Sequence, residues 1–67
     1  MKNELQTINR VITFVNSTAG IMKELTGKVE YKTLARITRN QLKDCCPAEL
    51  IEIGLFRAVA TNWNCEV

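Results

Sequence analysis

No histidine occurs among the 67 residues, which removes the commonest general base, proton shuttle and metal ligand together. Ser–His and Cys–His nucleophile pairs are excluded with it. Glycine is sparse, and Gly20, Gly27 and Gly54 stand far apart, whereas a loop that cradles phosphate needs several close together. There is one proline, Pro47, and no linker, repeat or low-complexity stretch, so residues 1–67 read as a single domain. No run approaches the ~20 consecutive apolar residues of a membrane span. Polar residues recur from Thr7 through Ser17 and interrupt any signal-peptide core. A cytoplasmic protein with no membrane partner is the expectation.

Cysteine is too sparse for a disulfide framework: Cys45, Cys46 and Cys65 are odd in number, and two are adjacent, a placement that does not readily bridge. Zinc asks for four ligands, usually with Cys pairs a few residues apart, so no metal is expected. The ordinary reading is reduced thiols, at least one of them buried as a small apolar group. Cys46 lies just before a helix start, where a thiol pKa is lowered. It is the best candidate for a reactive group, against the commoner structural role.

Excess charge is also missing. Nine Lys and Arg stand against seven Asp and Glu, net +2, too little for a histone-like protein but compatible with a local basic patch. In a chain this short a single core rarely supplies more than ~3–5 kcal/mol.

What is present is helical periodicity. Leu5, Ile8, Ile12, Val15, Ala19 and Met22 recur at alternating spacings of three and four, the seam of a long first helix over residues 3–26. Val11, Ile21 and Leu25 widen it. Gly20 inside the pattern suggests a close contact or a kink, and Gly27 sits where a helix-ending glycine belongs. In residues 28–45, Tyr31, Leu34, Ile37, Thr38, Leu42 and Cys45 share a side. Thr38-Arg39-Asn40-Gln41 has the form of a capping box, so this unit reads either as one helix or as two short ones broken at Thr38. Pro47 suits the first turn of a last helix over 47–63. Glu49 and Glu52 near its start complement the dipole. Its Leu50, Ile51, Ile53, Leu55, Phe56, Val59, Ala60 and Trp63 cover most of the circumference. Gly54 suggests close packing. The fold class is therefore all-α: a small bundle of three helices, or four if the middle one breaks.

That apolar surplus predicts self-association, with two-fold symmetry the commonest solution. The competing form is a monomer with a few exposed apolar side chains. Leu5, Ile8, Ile12, Val15, Met22 and Trp63 are the candidate dimer or partner contacts, Trp being enriched at binding hot spots.

Lys28, Lys32, Arg36, Arg39 and Lys43 are the most specific charge feature. On a continuous helix they project within one sector nearly opposite the apolar side, and Glu30 is the only acid in that window. Such a ridge suits phosphates or an acidic protein surface; a solvated helix face is the ordinary alternative. Asn40, with Gln41, offers amides that pair with adenine edges. A helix-turn-helix fits poorly: residues 38–45 followed by the last helix lack the turn glycine and lead with Glu49 and Glu52. A second register, with residues 31–37 before a recognition helix 38–45, points Arg39, Asn40 and Lys43 at a major groove.

Paired carboxylates occur only as Glu49 and Glu52 on one helix, where the dipole explains them better than acid–base work in a concave site. The expectation is a non-enzymatic regulatory protein without cofactor or small-molecule substrate, binding nucleic acid through the ridge. The runner-up is a protein–protein adaptor or inhibitor, by analogy with small accessory proteins of bacteria and phages.

Overall fold

The computed structural model describes residues 2–63; Asn64, Cys65, Glu66 and Val67 lie outside the described residues. Three helices make up the fold: α1 (Lys2–Thr26), α2 (Tyr31–Leu42) and α3 (Ala48–Asn62). The all-α expectation holds. At about 1.5 Å per residue, α1 alone accounts for the 37 Å long dimension.

Gly27 ends α1. Its φ of +84° is a conformation that side-chain-bearing residues rarely adopt, and its N–H donates to the Lys23 carbonyl at 2.8 Å. The chain turns back through Val29, which is buried and pins the connection to the core. Helix α2 then begins with the Leu34 N–H donating to the Glu30 carbonyl.

Thr38 does not break α2. Its side chain is fully buried, and its hydroxyl donates to the Leu34 carbonyl at 2.8 Å, one turn back. A threonine in mid-helix satisfies its hydroxyl in this way, so residue 38 is interior and the four-helix alternative does not occur. The end of α2 comes at Leu42, whose carbonyl accepts the N–H groups of both Cys45 and Cys46. Pro47 stands as the cap residue before α3, and its carbonyl accepts from Leu50 and Ile51.

The helices run up, down, up. Glu4 and Thr7 lie beside Pro47–Leu50, and Asn16 beside Asn62 and Trp63, so α1 and α3 are parallel. Gly54 sets their separation. A Cβ built there would fall 2.6 Å from Val11 Cβ, closer still to Val11 Cγ1, and 3.3 Å from the Ile8 carbonyl oxygen. By contrast, a Cβ at Gly20 meets nothing within 4 Å, so that glycine marks no contact.

This close approach moves the covered stripe of α1. Ile8, Val11, Val15 and Ala19 are buried, with Ile12, Phe14 and Met22 flanking them. Leu5, expected in the seam, is 60% exposed. A single seam describes a helix with one neighbour; α1 has two, and its buried stripe is correspondingly wider and centred nearer Val11. From α2 the core takes Leu34, Ala35, Thr38 and Leu42, and from α3 Ile51, Gly54, Leu55 and Ala58.

Candidate nucleic-acid interface

The basic residues of the middle segment lie along one side of α2. Lys32, Arg36 and Arg39 belong to the helix itself, and Lys43 follows it with helical dihedral angles (φ −59°, ψ −30°). Lys28 does not belong to the helix. It sits in the connection before it, where its carbonyl accepts the Thr26 hydroxyl at 2.9 Å. All five are exposed. The buried positions 34, 35, 38 and 42 occupy the other part of the wheel, and at about 100° per residue the ridge flanks the core rather than standing directly opposite it.

One cation is already engaged. Arg39 reaches across to α3, donating from Nε to Glu52 Oε2 at 2.6 Å and from a terminal nitrogen to Oε1 at 2.8 Å. This hydrogen-bonded pair holds the Glu52 carboxyl below the usual carboxylate range and raises the Arg39 guanidinium. Lys28, Lys32, Arg36 and Lys43 have no carboxylate within ion-pair distance among the described residues. Asn40 is exposed four residues beyond Arg36, on the same side of the helix.

Because α2 is continuous, the register that breaks it at residue 38 to make a recognition helix of 38–45 does not exist. The second glutamate expected to serve the α3 dipole, Glu52, instead bridges the two helices.

Part of the apolar circumference of α3 remains uncovered. Phe56 is 72% exposed and Ile53 38%. Glu49, Ile53, Phe56 and Ala60 are spaced four, three and four residues apart, forming a row on the outer side of α3 away from buried Ile51, Gly54, Leu55 and Ala58. That second spacing was the available signal. The Arg39–Glu52 pair fixes the antiparallel register of α2 on α3. Arg36 lies about one turn before Arg39 on α2, and Phe56 about one turn after Glu52 on α3.

The candidate partner contacts separate into two groups. Ile8 and Val15 are buried, while Ile12 and Met22 flank the core. Leu5 is exposed. Trp63 is half-buried, and its indole N–H donates to Asn16 Oδ1 at 2.9 Å, tying the end of α3 to the middle of α1. Two apolar side chains outside the expected set, Ile21 (60%) and Leu25 (79%), are at least as exposed as Leu5.

The Cys46 thiolate expectation is corrected. Cys46 is buried, and burial pushes its thiol up, reinforced by the hydrogen-bonding contact with Cys45. Pro47, rather than Cys46, occupies the cap position.

A shallow depression of about 430 Å³ lies between the starts of α1 and α3, lined by Glu4, Thr7 and residues 47–50. It is away from the ridge and is lined by two carboxylates and the Thr7 hydroxyl. Among the described residues no three metal-ligating side chains converge, and no helix is long and apolar enough to cross a membrane. No family model, curated protein or solved structure matches the chain.

Proposed function

We propose that this chain is a small regulatory nucleic-acid-binding protein that lays the α2 ridge along a phosphate backbone. The supporting observation is the alignment of Lys32, Arg36 and Lys43 along α2, with Lys28 in the connection before it, all exposed and, among the described residues, without a carboxylate partner. From residue 32 to 43 the helix rises roughly 16 Å, about five base pairs of duplex length. Each phosphate neutralised releases counterions, and this supplies affinity without sequence readout. Asn40 adds an amide on the same side of the helix that can pair with a base edge. Phe56, exposed on α3, offers a face on which an unpaired base can stack.

The test is fluorescence anisotropy of labelled duplex and single-stranded DNA with the wild type and with Lys32→Glu combined with Arg36→Glu. Both residues are exposed, so the double variant keeps its fold, checked by circular dichroism. The proposal expects binding to fall at least tenfold. Equal binding by both proteins reduces the ridge to a solvated face.

A protein-docking reading has its own support in the exposed Phe56, Ile21 and Leu25. Exposed apolar side chains that cluster mark interaction surfaces, while scattered ones are normal. Under this reading, apolar-to-polar changes at these residues abolish association and charge reversal on α2 does not.

A further inference from the structure

We infer that Cys45 and Cys46, whose sulfurs stand 3.5 Å apart at the α2–α3 corner, form a vicinal dithiol site that captures monosubstituted trivalent arsenicals. The site is independent of the ridge and of any nucleic acid.

The sulfurs converge because the corner folds both residues around one acceptor. The N–H groups of Cys45 and Cys46 both donate to the Leu42 carbonyl, at 3.1 and 2.9 Å. That arrangement brings the two side chains to the same side of the turn. Cys45 is exposed and Cys46 buried, so a reagent enters at one thiol and closes on the other.

The separation favours a one-atom bridge over a disulfide. Adjacent Cα atoms across a trans peptide are about 3.8 Å apart, short of the roughly 4.4–6.8 Å that a disulfide spans. A bridging atom larger than carbon removes the need for direct S–S contact, because its two sulfurs stay at nonbonded separation. The number of ligands selects the atom. Zinc in a structural site takes four, and no third His, Cys, Asp or Glu joins the group among the described residues. Trivalent arsenic bearing one organic substituent needs two sulfurs from the protein.

The reaction is a substitution with no change of oxidation state. The dihydroxy form R–As(OH)2 reacts with two Cys–SH; two As–O bonds break, two As–S bonds form, and the thiol protons leave with the hydroxyls as two waters. Thiols and product are all uncharged. Burial of Cys46, which opposes its thiolate, therefore does not oppose the product.

The probe is phenylarsine oxide, applied to the full chain carrying Cys65→Ser so that only the pair remains. Intact-mass measurement should show one phenylarsenic group per chain, with both thiols lost to a thiol-titrating reagent and the helical spectrum retained. The adduct should survive excess monothiol and be removed by 2,3-dimercaptopropanol. Further variants Cys45→Ser and Cys46→Ser should each hold the group ~100-fold less tightly, as expected when a second tethered contact is removed. Cys45 is exposed, so its variant folds whether or not the Cys46 variant does. Ready stripping by monothiol, undiminished retention in Cys45→Ser, or capture only with loss of helicity would overturn the inference.

Discussion

Arg39 and Glu52 join α2 to α3 through a two-point ion pair, with donor–acceptor distances of 2.6 and 2.8 Å. The pair fixes the register of the two helices and withdraws one cation from the basic ridge. Both side chains are about half exposed, 52% and 46%, and pairs of this kind contribute no more than about 1 kcal/mol.

Replacing Glu52 with Gln therefore has two opposite effects. Thermal stability falls slightly, by less than about 1 kcal/mol, a shift of a few degrees at most. Nucleic-acid affinity rises, because Arg39 is released to the ridge, and the salt dependence of binding steepens by about one phosphate contact. The stability difference between wild type and variant also depends on pH. Arg39 lowers the Glu52 pKa in the folded chain, so the pair's contribution is complete above the ordinary carboxylate pKa. It is lost as pH falls through the lowered folded value. Melting curves of the two proteins should differ at neutral pH and converge in acid.

The glycines give opposite predictions from one substitution. Gly54→Ala forces a methyl into Val11 and costs about 1–3 kcal/mol, reduced by alanine's better helix propensity. Gly20→Ala adds a methyl in open space and gains up to about 1 kcal/mol. Thermal or urea unfolding of the two variants checks both signs. A destabilised Gly20→Ala would mean that α1 has a neighbour on that side.

Leu55 is fully buried at the centre of α3. Truncation to Ala should cost about 2–5 kcal/mol, against a total of only ~3–5 kcal/mol for a domain of this size. Circular dichroism at room temperature is expected to show a substantially unfolded chain. Retention of a cooperative transition near the wild-type midpoint would show a larger stability reserve than one small core provides.

Phe56→Ala should leave stability within about 0.5 kcal/mol, as for an exposed residue away from special features. Its effect is on binding. Single-stranded DNA loses about 1–3 kcal/mol if one base stacks on the ring, while duplex binding is unchanged. Loss of self-association on sedimentation, with both DNA affinities intact, would support the protein-docking reading instead.

Helix positions were legible in the sequence because each boundary carries a chemical mark: Gly27 ending α1, Pro47 opening α3, and three-and-four spacing between. Lateral arrangement was less legible. The Leu5-to-Met22 seam assumes one partner for α1, and only the approach of α3 at Gly54 shows why Val11 displaces Leu5 from the covered stripe. Thr38 matches a capping box because local spacing does not say whether a hydroxyl will cap a new turn or bond back to Leu34. The ridge was visible as a run of charges. Its one engaged member was not, since Arg39 and Glu52 meet through the register of two helices. Phe56 illustrates the same limit: a helix with apolar residues on most sides does not say which side its neighbours will cover.

The most direct test of the ridge is the salt dependence of DNA binding, measured by anisotropy across a series of ionic strengths. With Lys28, Lys32, Arg36 and Lys43 all engaged on phosphates, log affinity for duplex should fall against log salt with a slope of about −3 to −4. Charge reversal at Lys32 and Arg36 should flatten that slope by about two or abolish binding. A complete absence of binding at low salt to both duplex and single strand, or a slope that the charge reversal does not change, would contradict the account.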